Sequence, residues 1–225
     1  MICQLHHADG RIAIPGFYDK VRTCSEEERD YMARTGPTDA EILHKAQAEK
    51  GWGEHGYTAY ERTTIRPSLA VNGIIGGYQG PGGKAVIPAR AAARLNFRLV
   101  PDQNPHEIER RFRQYLAQIT PVGVRSIIRR NLAANPVLID HHHPVMRAAA
   151  AAYYRGFGAR PVFLRSGGTI PVVHTLQELL GIPTVLMGFA LADDRMHAPN
   201  EKFHLPNFYK GINTSIVFLR EVGAM

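Results

Sequence analysis

Hydrophobic and polar residues alternate along this chain with two different periods. In ARAAARLNFRLVP (89–101), Leu95, Phe97 and Leu99 alternate with Arg94, Asn96 and Arg98, the period of a strand that packs one face and presents guanidinium groups on the other. SLAVNGIIGGY (68–78) reads as a second strand, joined to it by the glycine-rich YQGPGGKAVIP. In NPHEIERRFRQYLAQI (104–119) the period becomes helical, with Ile108, Phe112, Tyr115, Leu116 and Ile119 on one stripe, and GVRSIIRR (123–130) reads as a strand again. Strand, strand, helix, strand is most of a ferredoxin-like α+β sandwich, lacking an opening strand and helix.

The segments on either side differ. Towards the N-terminus, GRIAIPGFYDKV (10–21) reads as a short extended piece broken at Pro15-Gly16. SEEERDYMART (25–35) starts a helix with Ser25 as N-cap and Glu28 at capping-box spacing, and TDAEILHKAQAEKG (38–51) reads as a helix ended by Gly51. The last third alternates helix and strand: helix at 143–157, strand at RPVFL (160–164), helix at 170–181, strand at PTVLMGF (183–189), a polar loop, and a helix from Pro206 to about Val222. That order predicts α/β structure with a parallel sheet and ligand groups at strand ends.

Composition adds bounds. With 225 residues, 44% of them hydrophobic, the chain can bury a sizeable core. No apolar stretch reaches the roughly 18 residues a membrane span needs, and MICQLHHADG has no signal-peptide pattern, so a cytoplasmic protein without membrane attachment is expected. Cys3 and Cys24 form no C-x-x-C and are expected as free thiols. The net charge of +7 would suit an anionic partner, but the basic residues are spread along the chain and interleaved with acids, as on solvated helix faces. An RNA-binding sheet is further disfavoured because Phe97 stands alone, on the face opposite Arg98. No nucleic-acid partner is expected.

Three ordered motifs, NGIIGGYQGPGGKAVIP with FRLVP (72–101), GGTIP (167–171) and DDRMHAPNE (193–201), resemble the aminoacylase and carnosinase family of di-zinc metallopeptidases, and GRIAIPGFYDKV is similar to a stretch inside the lid of those enzymes. The resemblance implies an α+β fold class: an incomplete ferredoxin-like α/β sandwich, the lid or dimerisation domain, over 1–133, and a partial α/β three-layer subdomain, the C-terminal part of the catalytic domain, over 134–225. It implies a C-terminal fragment of an enzyme that hydrolyses dipeptides or N-acyl amino acids with two zinc ions, and a homodimer formed through the lid.

Among family site residues, the resemblance matches His197 to the late metal ligand and Arg98, Gly168 and Thr169 to the grip on the substrate carboxylate. Residue chemistry alone leaves other readings open. His197 could be a loop histidine bonded to Asp193, Asp194 or a carbonyl. Arg98 could be a surface residue. Thr169 could be a helix N-cap, a role compatible with anion binding. His7-Ala8-Asp9 and Glu26-Glu27 mimic the family's early motifs but lie too close together, in a turn and an exposed helix start; Asp140 to Pro144 reads as a solvated helix start whose consecutive imidazoles diverge. Ala85 replaces the usual threonine of the glycine-rich segment, and the lid histidine has no match. The chain alone is therefore expected to bind no zinc stably and to hydrolyse no peptide, which leaves a non-catalytic dimerisation or interaction module as the alternative.

Overall fold

A computed structural model describes residues 1–167 and 170–225. Two compact units divide it: Met1–Val137 with Leu164–Pro171, and Leu138–Phe163 with Val172–Met225. The architecture is mixed helix and strand.

In the first unit, strands β1 (Ser68–Gly76) and β2 (Ala91–Arg98) pair antiparallel, with Leu69 opposite Phe97 and Val71 opposite Leu95. A register irregularity between Val71 and Gly73 ends the regular alternation: beyond it both Ile74 and Ile75 are exposed. Helix α4 (Pro105–Ile119) starts at Asn104, whose Oδ1 accepts the His106 and Glu107 N–H groups, and Pro105 occupies the first turn where no N–H is needed. Its predicted stripe faces the sheet: Ile108 and Phe112 are buried, and Tyr115, Leu116 and Ile119 pack beside them.

The missing opening strand has a substitute that sequence reading left unassigned. A 3-10 turn (Ile2–Gln4) and an isolated antiparallel bridge between His6 and Ile12 fold the N-terminus so that Leu5, Ile12, Ile14 and Phe17 enter the same core. Rings of Phe97 and Phe112 meet edge to face at 5.2 Å. Gln103, buried without a hydrophobic signal, ties the corner together: it accepts from the Val100 N–H and donates to the Phe17 carbonyl.

Helices α1 (Glu26–Thr35), α2 (Asp39–Ala46) and α3 (Ala59–Thr64) also belong to this unit. Ser25 caps α1 as predicted, but the reciprocal half of the box is not made; Glu28 turns to Arg165 instead. Helix α2 stops before the predicted Gly51, at Gln47 in the left-handed region. Helix α3, not anticipated, opens on a complete Thr58–Glu61 capping box.

The expected strand at 123–130 does not form. Val124 and Ile127 are exposed, and only Ile128 leans on the core. The strands expected at 160–164 and 183–189 are likewise unpaired. Hydrophobic content suits a strand, but a ladder needs a neighbour, and among the described residues the one sheet is β1 with β2. The second unit instead rests on α5 (Pro144–Phe157) and α7 (Leu205–Gly223), with α6 (Pro171–Leu180) beginning at the boundary. Small residues let α5 and α7 approach: Ala148, Ala149 and Ala152 meet a partner helix that buries Gly211 and Thr214. Phe157 stacks on Phe189, and the Tyr153 hydroxyl donates to the Gly188 carbonyl, which holds the 188–189 segment to α5.

Candidate functional site

Residues of the first unit enclose a cleft of about 910 Å³, bordered among others by Trp52, Tyr60, Arg66, Arg98 and Gly167. Arg98 stands at the end of β2, paired in register with Ser68, and its exposed guanidinium makes no hydrogen bond or ion pair with another described residue. Such a cation can receive a carboxylate in a bidentate fork.

The other arginines of the cleft are engaged. Arg66 donates two hydrogen bonds to Glu54, at 2.8 and 2.7 Å, and its guanidinium lies 4.5 Å from the ring centroid of Tyr57 and 5.2 Å from that of Tyr18. Burial works against the Arg66 charge, but the Glu54 carboxylate outweighs it and keeps the pKa above the ordinary value. Arg62 donates to the Glu54 carbonyl. Arg165 is bound to Glu28, with Nε donating to Oε1 at 2.7 Å. None of these residues carried a sequence signal of its own, except that Thr58-x-x-Glu61 has the capping-box spacing that places α3 against the cleft.

Gly167 borders the same cleft as Arg98, so the first residue of GGTIP and the predicted carboxylate-binding arginine line one cleft. It is also packed so closely that a Cβ there would overlap the Thr63 carbonyl oxygen, a reason for glycine independent of any turn. Gly168 and Thr169 themselves lie outside the described residues.

His197 lies in the second unit, exposed and with a positive φ of 63°, and makes no hydrogen bond with a described residue. The loop reading that bonds it to Asp193 or Asp194 is not what the structure has: both carboxylates go to Lys202, at 2.9 and 3.3 Å. Asp194, 1% exposed, also accepts the Leu191 N–H at 2.7 Å, so the loop that carries His197 is closed at its base.

A zinc ion takes about four ligands in close convergence. Among the described residues no three His, Cys, Asp or Glu side chains come together in that way. The donors among the described residues do not fit a zinc centre.

The look-alike motifs behave as ordinary structure. Asp9 accepts the Arg11 N–H in a turn, and Glu26 and Glu27 occupy the exposed first turn of α1. His143 caps α5 through Nδ1, as a helix start should, whereas the His141 and His142 rings do not diverge: their centroids are 3.9 Å apart. Phe97, half-buried against Phe112, offers no open aromatic platform to a base. No helix among the described residues is long and apolar enough to cross a membrane.

Comparison with known proteins gives concordant likenesses. A family model described as the peptidase dimerisation domain of M20 enzymes matches residues 2–124. Human Beta-Ala-His dipeptidase is 27% identical over 228 residues, which take in 100% of this chain and 45% of that protein. Cys-Gly metallodipeptidase dug1 of Schizosaccharomyces pombe is 27% identical over 96% of this chain and 46% of its own length. Among solved structures, an M20 family metallo-carboxypeptidase from Sulfolobus solfataricus superposes with a TM-score of 0.85 at 29% identity, over 100% of this chain and 51% of that one. The chain thus spans about half the length of the relatives it matches.

Proposed function

The chain belongs to the M20 peptidase dimerisation-domain family, and from that membership we propose that it is part of a metallopeptidase for dipeptides or N-acyl amino acids, in which Arg98, Gly168 and Thr169 grip the substrate carboxylate. Residues 1–133 form the lid in this reading and 134–225 the C-terminal part of the catalytic domain. The observation that carries it is the unpaired Arg98 guanidinium facing a cleft shared with Gly167. A planar fork at one side and main-chain donors of a glycine-rich segment at the other are complementary to a carboxylate.

His197 is assigned as one metal ligand. Arg98 and Thr169 would orient the amide by its anionic end. In this reading the polypeptide binds the carboxylate end of the substrate.

Titration with N-acetylglycine and N-acetylglycinamide, followed by amide chemical shifts, tests the carboxylate grip. The acid should bind and the amide should not; Arg98→Ala should abolish the preference without changing the fold. Equal binding of acid and amide by the unaltered chain would reject the assignment.

Homodimer formation through the lid is the accompanying proposal. Its support is the exposure of Ile74 and Ile75 on β1 and of Ile87 in the loop that follows, apolar side chains at a sheet with open edges. A mass that doubles with concentration in sedimentation supports it, and a constant monomer mass speaks against it.

A further inference from the structure

The chain leading into Gly167-Gly168 is held by a residue that lies more than a hundred positions earlier. The Tyr60 hydroxyl donates to the Arg165 carbonyl at 3.1 Å and accepts the Arg165 N–H at 2.9 Å, so one side chain satisfies both backbone polar groups of a single residue. This is the pairing a neighbouring strand would provide, supplied by a phenol to a segment that has no ladder.

The phenol is itself fixed. Tyr60 is buried on α3, and its ring lies so close to Gly36 that a Cβ there would overlap it. The Thr63 carbonyl, one turn further along α3, meets Gly167. On the outer side the Arg165 guanidinium is drawn to Glu28 of α1. Three contacts from α1 and α3 therefore converge on residues 165–167, and each concerns backbone position or the side chain that anchors it.

Resting on the carboxylate reading above, we propose that Tyr60 is a positioning residue: by clamping the Arg165 backbone it sets where Gly167 stands in the cleft it shares with Arg98, and with it the site's preference for a carboxylate. Tyr60 touches no substrate in this assignment. Its effect passes through the main chain, where a shift of about 1 Å is enough to weaken an oriented contact severely.

The test uses the full chain and the same probes. Tyr60→Phe keeps the ring and removes the hydroxyl, leaving two backbone groups of Arg165 without their partner. The N-acetylglycine affinity should fall about tenfold, the scale set by losing hydrogen bonds to groups that stay partly buried. N-acetylglycinamide should remain a non-binder, and the Gly167 amide resonance should move in the free protein. Gly167→Ala displaces the same segment from the Thr63 side and should give the same loss, which provides a second reading if Tyr60→Phe folds poorly. A folded Tyr60→Phe chain that binds N-acetylglycine as tightly as the unaltered one, or that shows only a lower melting temperature, overturns the assignment. If the unaltered chain fails to distinguish acid from amide, the carboxylate reading falls first, and the role of Tyr60 falls with it.

Discussion

Lys202 closes on Asp194 twice: its backbone N–H donates to the Asp194 carbonyl at 3.0 Å, and its Nζ reaches the Asp194 carboxylate at 3.3 Å. Between them runs the loop that carries His197, with Arg195, His197 and Asn200 all at positive φ. Non-glycine residues rarely adopt that conformation, so the loop keeps its shape because its base is locked. Asp194→Ala removes the buried carboxylate and leaves the Leu191 N–H without its acceptor. The expected cost is about 2–4 kcal/mol in urea denaturation of the second unit, with faster tryptic cleavage at Arg195. Unchanged cleavage would show that the loop holds its conformation without the lock.

Glu61 gives the first unit a dependence on acid. It is 5% exposed; burial alone would raise its pKa, but hydrogen bonds from Arg29 and from the Thr58 backbone outweigh burial and leave it below the ordinary glutamate value. A carboxylate with a lowered pKa in the folded state contributes stability that is fully present above its unfolded pKa and disappears as pH falls through the folded one. At pH 7 Glu61→Gln should therefore cost about 3 kcal/mol. Below about pH 4 the difference between the two proteins should shrink. Urea midpoints at pH 7 and pH 3 decide this, and a gap that stays constant would assign the stability to the cap geometry rather than to charge.

Arg66→Lys changes a residue without changing its formal charge. The ammonium cannot make the bidentate pair with Glu54 or lie flat between Tyr18 and Tyr57, so a loss of about 2 kcal/mol is expected, visible as a lower melting temperature. Equal stability would mean that charge alone sustains the Glu54 pair.

Ala152 has no exposed surface at the contact of α5 with α7. Ala152→Leu adds three carbons where none fits and should destabilise the second unit by about 1–3 kcal/mol, whereas Ala150→Leu on the half-buried side should be milder. Calorimetry of the two variants separates packing from helix propensity, which is similar for both.

How much of this was legible in the sequence depends on the range of the physics. The helix at 105–119 is visible in the sequence because the stripe from Ile108 to Ile119 acts locally. That the segments 160–164 and 183–189 stay unpaired is not legible, because apolar content is a local signal and a ladder needs a remote partner. Arg98 was legible as a candidate; that it is unpaired while Arg62, Arg66 and Arg165 are engaged required coordinates. Tyr60 offered nothing in its neighbourhood to suggest a bond to Arg165, and Glu28 looked like half of a capping box.

The reach from Tyr60 to Arg165 also has a history in time. At roughly 10 residues per second of synthesis, about ten seconds separate the emergence of these two residues from the ribosome. During that interval the nascent first unit can collapse around Phe17, Phe97 and Phe112, but one wall of its cleft has yet to be translated. The order of manufacture thus keeps the cleft unfinished until the chain has gone on past the whole of α5 and returned.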